Sequence, residues 1–337
     1  MTSEARRLVL RAPNWLGDAV LALPAMAAVR RARPDAAIAV AAIPAVVPLF
    51  REDTSARADE VIPVDGRGEP AALRAGRFDA ALLFPNSFRS ALSARQAGIP
   101  ERWGYAASLR SPLLTRAVRR PRRRVHQTVY YLELVRGLGV EADETLPCVR
   151  VTPSTAARAG ALLEEAGVAP DATLVGFAPG AAYGYAKRWP PPRVAAVIAR
   201  LSRERGVVCV LGGAEADRPA GREIESALPP DVRAVNLIGR TDLRVFAGVL
   251  ARLRALVSND SGAMHLAAAV GVPVTAVFGP TDERVTAPAG SHHDVLRHQV
   301  FCRPCMLREC PIDHRCMTGV TAEAVFDAVS RRLEARP

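Results

Sequence analysis

Short runs of β-branched and aliphatic residues alternate along the chain with longer stretches rich in Ala, Leu and Arg, whose apolar positions recur at helical spacing. The short runs predict strands, and the longer stretches predict helices with one buried face. Strands that alternate with helices build parallel sheets, because each return connection is a helix. The stretch Ala19–Ala32 is predicted to form one helix. In the first half, the predicted strands are Leu8–Arg11, Ile38–Ala42, Glu60–Val64 and Ala80–Phe84.

The second half of the chain repeats this pattern, and Pro147–Thr155, where Pro and Thr interrupt it, separates the two halves. Its predicted strands are Thr173–Ala178, Val207–Leu211, Val235–Leu237, Ala255–Ser258 and Val274–Phe278. Its predicted helices are Ala156–Gly167, Arg193–Arg205, Ala216–Ala227 and Ala263–Val270. Each half has enough units for its own open parallel sheet. The 337 residues are therefore expected to form two α/β domains, residues 1–153 and 154–337.

The composition is that of an ordinary globular protein. The chain has 49% hydrophobic and 23% charged residues, which excludes wholesale disorder and fibrous repeats. No apolar run reaches the length of about 18 residues that a membrane-spanning helix needs. The first residues, Met1–Arg7, lead into a strand-like run and show no signal-peptide cleavage pattern. We therefore expect a cytoplasmic protein.

The charge balance indicates an anionic partner. Lys and Arg together number 45 against 34 acidic residues, a formal net charge of +11, and every base except Lys187 is an arginine. This surplus fits nucleic acid, a phosphorylated small molecule or an acidic membrane surface. The basic cluster Arg116–Arg124 is interpreted either as a solvated loop or as a contact for acidic lipid headgroups or a phosphorylated acceptor. Nucleic acid is disfavoured because no stacking aromatics interleave with these arginines.

Several common catalytic motifs are missing from the sequence. The only lysine lies in Ala186-Lys187-Arg188, so there is no Walker A loop, and no G-x-G-x-x-G follows the first predicted strand. The sequence also contains neither H-E-x-x-H nor G-x-S-x-G. P-loop hydrolases, ordinary dinucleotide-binding enzymes, zinc metalloproteases and α/β-hydrolases are therefore disfavoured.

The most informative motif is the polar loop between the predicted strand ending at Ser258 and the Ala-rich helix that follows it. Asp260 and Ser261 are residue types that cap helix N-termini, and Gly262 allows a ligand to approach the backbone closely. A strand, a tight loop and a helix in this order point backbone N–H groups at an anion. His265 falls in the first helical turn, where it can face the same ligand. An ordinary capped turn with an incidental histidine is the alternative interpretation.

Three further segments carry polar candidates at the ends of predicted strands. The glycine-rich loop Pro179–Pro190 carries Lys187, whose ammonium could neutralise a diphosphate leaving group. Because arginine is used everywhere else, this lysine indicates either a required compact cation or chance retention. Glu215 and Asp217 follow the next strand, where they either accept hydrogen bonds from a ribose or cap a surface turn. At the first βα junction, Asp18 is either a helix N-cap or a general base at the ligand edge of the sheet.

Together these segments resemble the ADP-heptose:lipopolysaccharide heptosyltransferases, and among them most closely the type II enzymes. The resemblance covers nearly the whole chain. It rests on five segments in the order of that family, namely Arg11–Asp18 followed by Leu23–Ala25, Leu83–Ala91 followed by Ala97–Pro100, Lys187–Pro190, Asp260–His265, and Phe278–Thr281. The second of these segments looks like the type II enzymes in particular.

The resemblance implies a GT-B architecture, in which two Rossmann-like domains with parallel sheets face a central cleft. It implies an inverting transfer of L-glycero-D-manno-heptose from ADP-L-glycero-β-D-manno-heptose to the heptosyl-Kdo-lipid A inner core of lipopolysaccharide. The donor is expected on the C-terminal domain and the acceptor on the N-terminal domain, with no metal cofactor required. An amphiphilic acceptor and the arginine surplus imply peripheral attachment to the anionic inner-membrane surface, with no nucleic-acid partner.

The resemblance also assigns roles to residues quoted above. Asp18 is expected to deprotonate the acceptor hydroxyl, while Lys187 and the helix N-terminus stabilise the departing ADP. The expected donor-binding residues are Lys187, Glu215, Asp217, Asp260, Ser261, Gly262, Ala263, His265 and Thr281. The expected acceptor-binding residues are Asn14, Trp15, Asn86, Ser87 and Arg89.

Four of the six cysteines crowd the C-terminal region. Thiolates at this spacing could hold zinc or iron, and some autotransporter heptosyltransferases of the superfamily carry a four-cysteine metal finger. The type II enzymes carry a similar tail without an established metal, so reduced structural thiols are the expectation and a structural metal is the alternative. A disulfide is disfavoured in a reducing cytoplasm. Cys148 and Cys209 are expected to be isolated core residues. The four clustered cysteines are Cys302, Cys305, Cys310 and Cys316.

Two alternative functions remain open from the sequence. One is a related glycosyltransferase with another sugar-nucleotide donor or a protein acceptor. The other is a non-enzymatic basic module that binds acidic polymers or membranes, in which the candidate catalytic residues serve only as helix caps. Transfer of heptose from ADP-heptose to a truncated core distinguishes these classes.

Overall fold

The computed structural model describes residues 6–334. The chain divides into two compact units, Met1–Arg150 and Val151–Pro337, whereas the sequence pattern places the boundary after residue 153. The first five residues of the segment expected to lack a signal peptide lie outside the described residues, so that expectation stays a prediction. Among residues 6–334, no helix is both long enough and apolar enough to cross a bilayer.

The first unit is built on a sheet of six parallel strands. The strands of this unit, including two outside the six-stranded sheet, are β1 (Arg7–Arg11), β2 (Ala37–Ala42), β3 (Asp53–Thr54), β4 (Glu60–Pro63), β5 (Ala80–Leu83), β6 (Glu101–Tyr105), β7 (Arg116–Val118) and β8 (Val149–Arg150). The sheet has the order β4-β2-β1-β5-β6-β7, while β3 and β8 form a separate antiparallel pair. Counted within the sheet, this is the 3-2-1-4-5-6 order of doubly wound α/β folds.

Five α-helices complete the described part of the first unit, residues 6–150. They are α1 (Leu16–Leu21), α2 (Leu23–Ala32), α3 (Glu69–Ala75), α4 (Phe88–Gln96) and α5 (Gln127–Arg136). The prediction of a single helix over Ala19–Ala32 is wrong, because the chain breaks between α1 and α2 at Ala22. Pro24, in the first turn of α2, has no N–H with which to continue the helical hydrogen-bond ladder.

The second unit has a sheet of the same design. Its strands are β9 (Leu174–Ala178), β10 (Val208–Leu211), β11 (Val235–Asn236), β12 (Leu253–Asn259), β13 (Val274–Phe278) and β14 (Asp294–Arg297). All pairs are parallel, and the order β11-β10-β9-β12-β13-β14 again reads 3-2-1-4-5-6. Its helices are α6 (Pro153–Glu165), α7 (Pro191–Arg205), α8 (Arg218–Ala227), α9 (Leu243–Ala251), α10 (Gly262–Val270), α11 (Glu283–Thr286), α12 (Arg315–Thr318) and α13 (Ala322–Glu334).

The nine predicted strands are confirmed to within two residues at each end. The sheet strands β6, β7 and β14 were not predicted, because none of them is a continuous apolar run. The basic cluster Arg116–Arg124 contributes β7 with its first three residues, and the arginines after β7 are exposed in a loop.

The order of the strands determines which loops meet. In each sheet the order reverses between two central strands, β1 and β5 in the first unit and β9 and β12 in the second. Loops that leave the carboxyl ends of such a strand pair diverge and open a crevice, the usual ligand site of open α/β sheets. Asp18 and Asn86 follow β1 and β5, while Lys187 and Asp260 follow β9 and β12. Each reversal point therefore carries two of the segments that the sequence singles out.

Candidate active site

Asp18 lies in the first turn of α1, at the reversal point of the first sheet. The N-cap of α1 is Trp15, so the interpretation of Asp18 as the N-cap is wrong. The Tyr131 hydroxyl of α5 donates a hydrogen bond of 3.2 Å to Asp18 Oδ1. Burial, and then the charge of Asp18, raises the pKa of Tyr131 well above its ordinary value. This phenol therefore keeps its proton at neutral pH and orients the Asp18 carboxylate.

A buried ion pair supports the loop that leads to Asp18. Arg11 Nε lies 2.8 Å from Glu69 Oε1, and only 4% and 5% of the two side chains are exposed. The same guanidinium donates to Asn14 Oδ1 at 2.9 Å, so the ion pair anchors one of the predicted acceptor residues. Trp15 is 61% exposed. Sequence reasoning did not identify Arg11 as a functional residue, because nothing local indicates that Glu69 would meet it.

The predicted acceptor residues after β5 have different structural roles. Asn86 Nδ2 donates to the Tyr130 hydroxyl at 2.8 Å, while Asn86 Oδ1 is buried without a hydrogen-bond partner among residues 6–334. Ser87 is the N-cap of α4, and its Oγ accepts from Ser90 N at 3.2 Å. Arg89 is exposed on α4. Asn86 Oδ1 is thus a buried acceptor that no described residue satisfies, whereas the Ser87 oxygen already caps the helix.

Arg110, which the sequence did not single out, anchors the loop after β5 from the interior of the unit. Its side chain is fully buried and donates to the carbonyl oxygens of Tyr105, at 2.9 Å, and Pro85. Burial lowers the pKa of Arg110 to about 10, so the guanidinium stays charged at neutral pH. It ties the end of β6 to the residue that precedes Asn86.

In the second unit, Lys187, Asp260 and Thr281 form one hydrogen-bonded group. Lys187 Nζ lies 2.6 Å from Asp260 Oδ2, with only 12% and 5% of the two side chains exposed. Thr281 Oγ1 donates to the same carboxylate oxygen at 2.7 Å. The ammonium also lies 4.7 Å from the ring centre of Tyr183. The structure therefore brings together three predicted donor residues from the loops after β9, β12 and β13.

The buried side chain of Asn259 joins the first two of these loops. Its Oδ1 accepts from Trp189 N at 3.1 Å, and its Nδ2 donates to Pro179 O at 2.7 Å. Both partners lie in the glycine-rich loop, on either side of Lys187. Asn259 immediately precedes Asp260 and so lies in the polar loop that the sequence singles out. Its two hydrogen bonds to the glycine-rich loop could not be predicted, because they depend on the pairing of β9 with β12.

Helix α10 begins directly after Asp260, with Ser261 as its N-cap. Ser261 occupies the N-cap position with an extended backbone and makes no side-chain capping hydrogen bond, while its Oγ lies 3.2 Å from Ser258 Oγ. The alternative of an ordinary side-chain-capped turn is therefore wrong for Ser261. The first-turn N–H groups, at Gly262 and Ala263, belong to a helix end that attracts anions. His265 is buried in the same turn.

The two carboxylates after β10 differ in environment. Asp217 Oδ2 accepts from Ala214 N at 3.1 Å, which is the capping contact of the alternative interpretation. Burial raises the pKa of Asp217, and Arg188 Nη2 lies 3.6 Å from it. Glu215 is 72% exposed and lies 2.7 Å from Arg218. Asp217 thus caps its own turn and also lies near Arg188 of the glycine-rich loop, whereas Glu215 faces solvent.

The cysteine-rich tail encloses a cavity. Its four cysteines line a space of about 320 Å³ together with His298 and His314, and all four are free thiols. Burial raises the pKa of Cys316, and the neighbouring thiols add to this effect. Among residues 6–334, no group of three or more His, Cys, Asp or Glu side chains is arranged to hold a metal ion. Cys209 is buried as predicted, whereas the prediction for Cys148 is wrong because this thiol is exposed.

Comparisons with known proteins give one consistent result. Residues 70–315 match the family model of glycosyltransferase family 9 (heptosyltransferase). The chain is 32% identical to lipopolysaccharide heptosyltransferase 2 of Salmonella typhimurium over 86% of this chain and 88% of the relative. It is 30% identical to lipooligosaccharide heptosyltransferase 2 of Haemophilus influenzae, with the same coverage. The solved ADP-heptose LPS heptosyltransferase II of Escherichia coli superposes with a TM-score of 0.83 at 28% identity, over 97% of this chain and 98% of that one. The expected fold class, α/β with two parallel-sheet domains of the GT-B type, is confirmed.

Proposed function

Because the chain belongs to glycosyltransferase family 9, the heptosyltransferase family, we propose that it transfers L-glycero-D-manno-heptose from ADP-heptose to the heptosyl-Kdo-lipid A inner core of lipopolysaccharide. Family membership makes it an enzyme and removes the non-enzymatic alternative. The observation that carries the donor half of this proposal is the group of Lys187, Asp260 and Thr281, next to the N-terminus of α10.

The donor diphosphate requires positive charge that is already in place. The Lys187 ammonium and the N-terminal amides of α10 supply it, and both are worth more in a partly buried site than in water. A carboxylate repels a diphosphate, so Asp260 acts by holding Lys187 and not by touching the phosphates. Thr281 in turn orients Asp260. Because the Lys187 ammonium and the amides of α10 stand where a divalent cation would otherwise neutralise the diphosphate, we extend the proposal to a metal-independent reaction.

Asp18 supplies the base. Its carboxylate takes the proton of the acceptor hydroxyl while that oxygen attacks C1 of the heptose. The bond between C1 and the ADP oxygen breaks in the same step, and ADP leaves with the electron pair, its charge balanced by Lys187. One displacement inverts the anomeric centre. Tyr131 holds Asp18 by a hydrogen bond, and Asn14, Trp15, Asn86 and Arg89 are available to contact the acceptor.

The proposal extends to peripheral attachment to an anionic membrane surface. Three large apolar side chains are exposed in segments that follow β1, β5 and β6, namely Trp15 at 61%, Phe88 at 46% and Leu109 at 92%. The exposed arginines of the basic cluster follow β7. Carboxyl ends of parallel strands share one sheet edge, so apolar and cationic side chains are available on the same edge for a lipid-linked, phosphorylated acceptor.

One assay tests the reaction. Purified chain is incubated with ADP-heptose and a truncated core that ends in a single heptose, and the product is identified by mass spectrometry as the acceptor plus one heptose. Release of ADP without an acceptor product, or transfer only from other sugar nucleotides, would contradict the proposed substrates.

A second assay tests the membrane surface. We expect co-sedimentation with vesicles that contain phosphatidylglycerol, weakened by salt, and none with neutral vesicles. Replacing Arg119, Arg120 and Arg122 by Ala is expected to lower the partition coefficient roughly 100-fold at low salt, at about 1 kcal/mol per arginine. Replacing exposed Arg95, on α4, is the control. Equal binding to neutral and anionic vesicles would contradict this part of the proposal.

A further inference from the structure

The cysteine-rich tail contacts two of the three loops of the proposed donor site, those after β9 and β13. Residues 301–314, which we call the strap, lie between β14 and α12 and are without regular secondary structure. One set of strap contacts reaches the glycine-rich loop that carries Lys187. A second set reaches the loop after β13 that carries Thr281. Neither set was expected from the sequence, which singled out the strap only for its thiols.

The first set of contacts holds the residue before Lys187 through both its backbone N–H and its carbonyl oxygen. Ala186 N donates to Arg308 O at 2.9 Å, and Ala186 O lies 2.6 Å from His314 Nε2. The Tyr183 hydroxyl, from the same loop, donates to Met306 O at 2.7 Å. The approach is close enough that a Cβ added at Gly184 would lie 2.4 Å from Arg308 O. The loop is thus clamped directly beside the lysine.

The second set of contacts centres on Arg303. Its Nε donates to Gly279 O at 2.7 Å, and its Nη2 donates to Thr281 O at 3.1 Å. The same nitrogen lies 2.7 Å from Glu283 Oε2, and only 4% of the arginine side chain is exposed. A buried guanidinium that satisfies two carbonyl groups and one carboxylate at once fixes the path of that loop.

We propose that the strap is the positioning element of the donor site, with Arg303 and His314 as its positioning residues. The inference rests on the proposed function. Lys187 and Thr281 meet at a single oxygen of Asp260, so their alignment depends on two loops that the strap joins. Electrostatic stabilisation of a leaving group falls steeply when the charge moves by about 1 Å. Arg303 and His314 act on the reaction through the backbone of these loops.

Arg303→Met is the first test, and Arg297→Met is its matched control. Both arginines pair with Glu283, but Arg297 is 51% exposed. We expect Arg303→Met to lower kcat on the order of 10- to 100-fold with an unchanged KM for the acceptor, and Arg297→Met to change kcat less than about twofold. Arg303→Lys keeps the charge but not the fork of donors, and is expected to recover only part of the loss. Equal effects of Arg303→Met and Arg297→Met would overturn the inference.

His314 allows a second test with two variants of similar shape. His314 has a left-handed backbone, with φ of 59°, and Gln and Met both lack β-branching, so the backbone cost is similar in the two variants. Gln can still donate to Ala186 O, whereas Met cannot. We expect His314→Gln to keep kcat within about threefold of wild type and His314→Met to lose about tenfold or more. Identical kcat values for the two variants would contradict a positioning role.

Amide hydrogen exchange separates this inference from the proposed function, because it requires no turnover. We expect exchange to accelerate about tenfold over residues 279–283 in Arg303→Met and over residues 183–187 in His314→Met, with α7 unchanged as an internal measure of folding. If both variants exchanged at the wild-type rate in these loops, the positioning role of the strap would be refuted even if heptose is transferred. Absence of heptose transfer by the wild type would refute the proposed function and leave this measurement intact.

Discussion

For the ion pair of Lys187 and Asp260, we predict that the effects of substitution on stability and on catalysis can be separated. Replacing Lys187 by Met removes the ammonium at 2.6 Å from a carboxylate that is only 5% exposed. Breaking a buried ion pair by removing one partner leaves an uncompensated charge and typically costs 3–5 kcal/mol. Thr281 still donates to Asp260, so we expect a loss of about 3 kcal/mol in the free energy of unfolding. Turnover is expected to fall on the order of 10²–10³-fold, which corresponds to about 2.7–4 kcal/mol of barrier.

The double variant Lys187→Met with Asp260→Asn removes both charges. We expect it to recover most of the lost stability, because no buried charge then lacks a partner. Turnover is expected to stay as low as in the single variant, because the ammonium is still absent. Urea unfolding measures the stability, and release of ADP in the presence of acceptor measures turnover.

Two outcomes would refute this reasoning. If the double variant recovered turnover together with stability, Lys187 would matter only for folding. If Lys187→Met alone kept turnover within a few-fold of wild type, the ammonium would have no role in the departure of ADP. Arg200→Met, which removes an exposed arginine paired with Glu204 on α7, is the control for loss of a surface ion pair and is expected to change neither quantity measurably.

Three further predictions follow from other contacts. Asp18→Asn is expected to abolish transfer while calorimetry shows ADP-heptose bound within about threefold of wild type, and retained transfer would exclude Asp18 as the base. Tyr131→Phe removes the phenol that donates to Asp18; we expect kcat to fall about 10-fold and unfolding free energy to fall by about 1 kcal/mol, and an unchanged kcat would contradict the orienting role. Burial lowers the pKa of His293 to about 4, and its Nδ1 accepts from Val274 N, so the unfolded chain binds the extra proton between about pH 6.5 and pH 4 and stability falls as pH falls through that window. His293→Asn, which retains a side-chain acceptor, is expected to flatten this part of the curve of unfolding free energy against pH, and an unchanged slope would contradict the assignment.

The fold and the positions of the chemistry could be predicted from the sequence because both are local properties. Alternation of apolar runs with helical stretches reports which side chains are buried, and it indicated the central strands of both sheets within two residues. The polar loops after those strands carry the glycines, the lone lysine and the acidic residues that a nucleotide-sugar site requires. Edge strands such as β7 and the break at Ala22 were missed, because a half-exposed strand has no apolar run and a proline effect on one hydrogen bond does not change the helical period.

The partners of the site residues were decided only by the tertiary structure. Tyr131 is 113 positions from Asp18, and Lys187 is 73 positions from Asp260. No local pattern connects such residues. Lys187 and Asp260 meet because the strand order 3-2-1-4-5-6 places the loops after the first and fourth strands of the sheet at one edge. Tyr131 meets Asp18 because α5 packs against α1 and α2. The strap shows the same limit: its cysteines are visible in the sequence, while the carbonyl groups that Arg303 binds belong to a loop about twenty residues away, which only packing brings within hydrogen-bond distance.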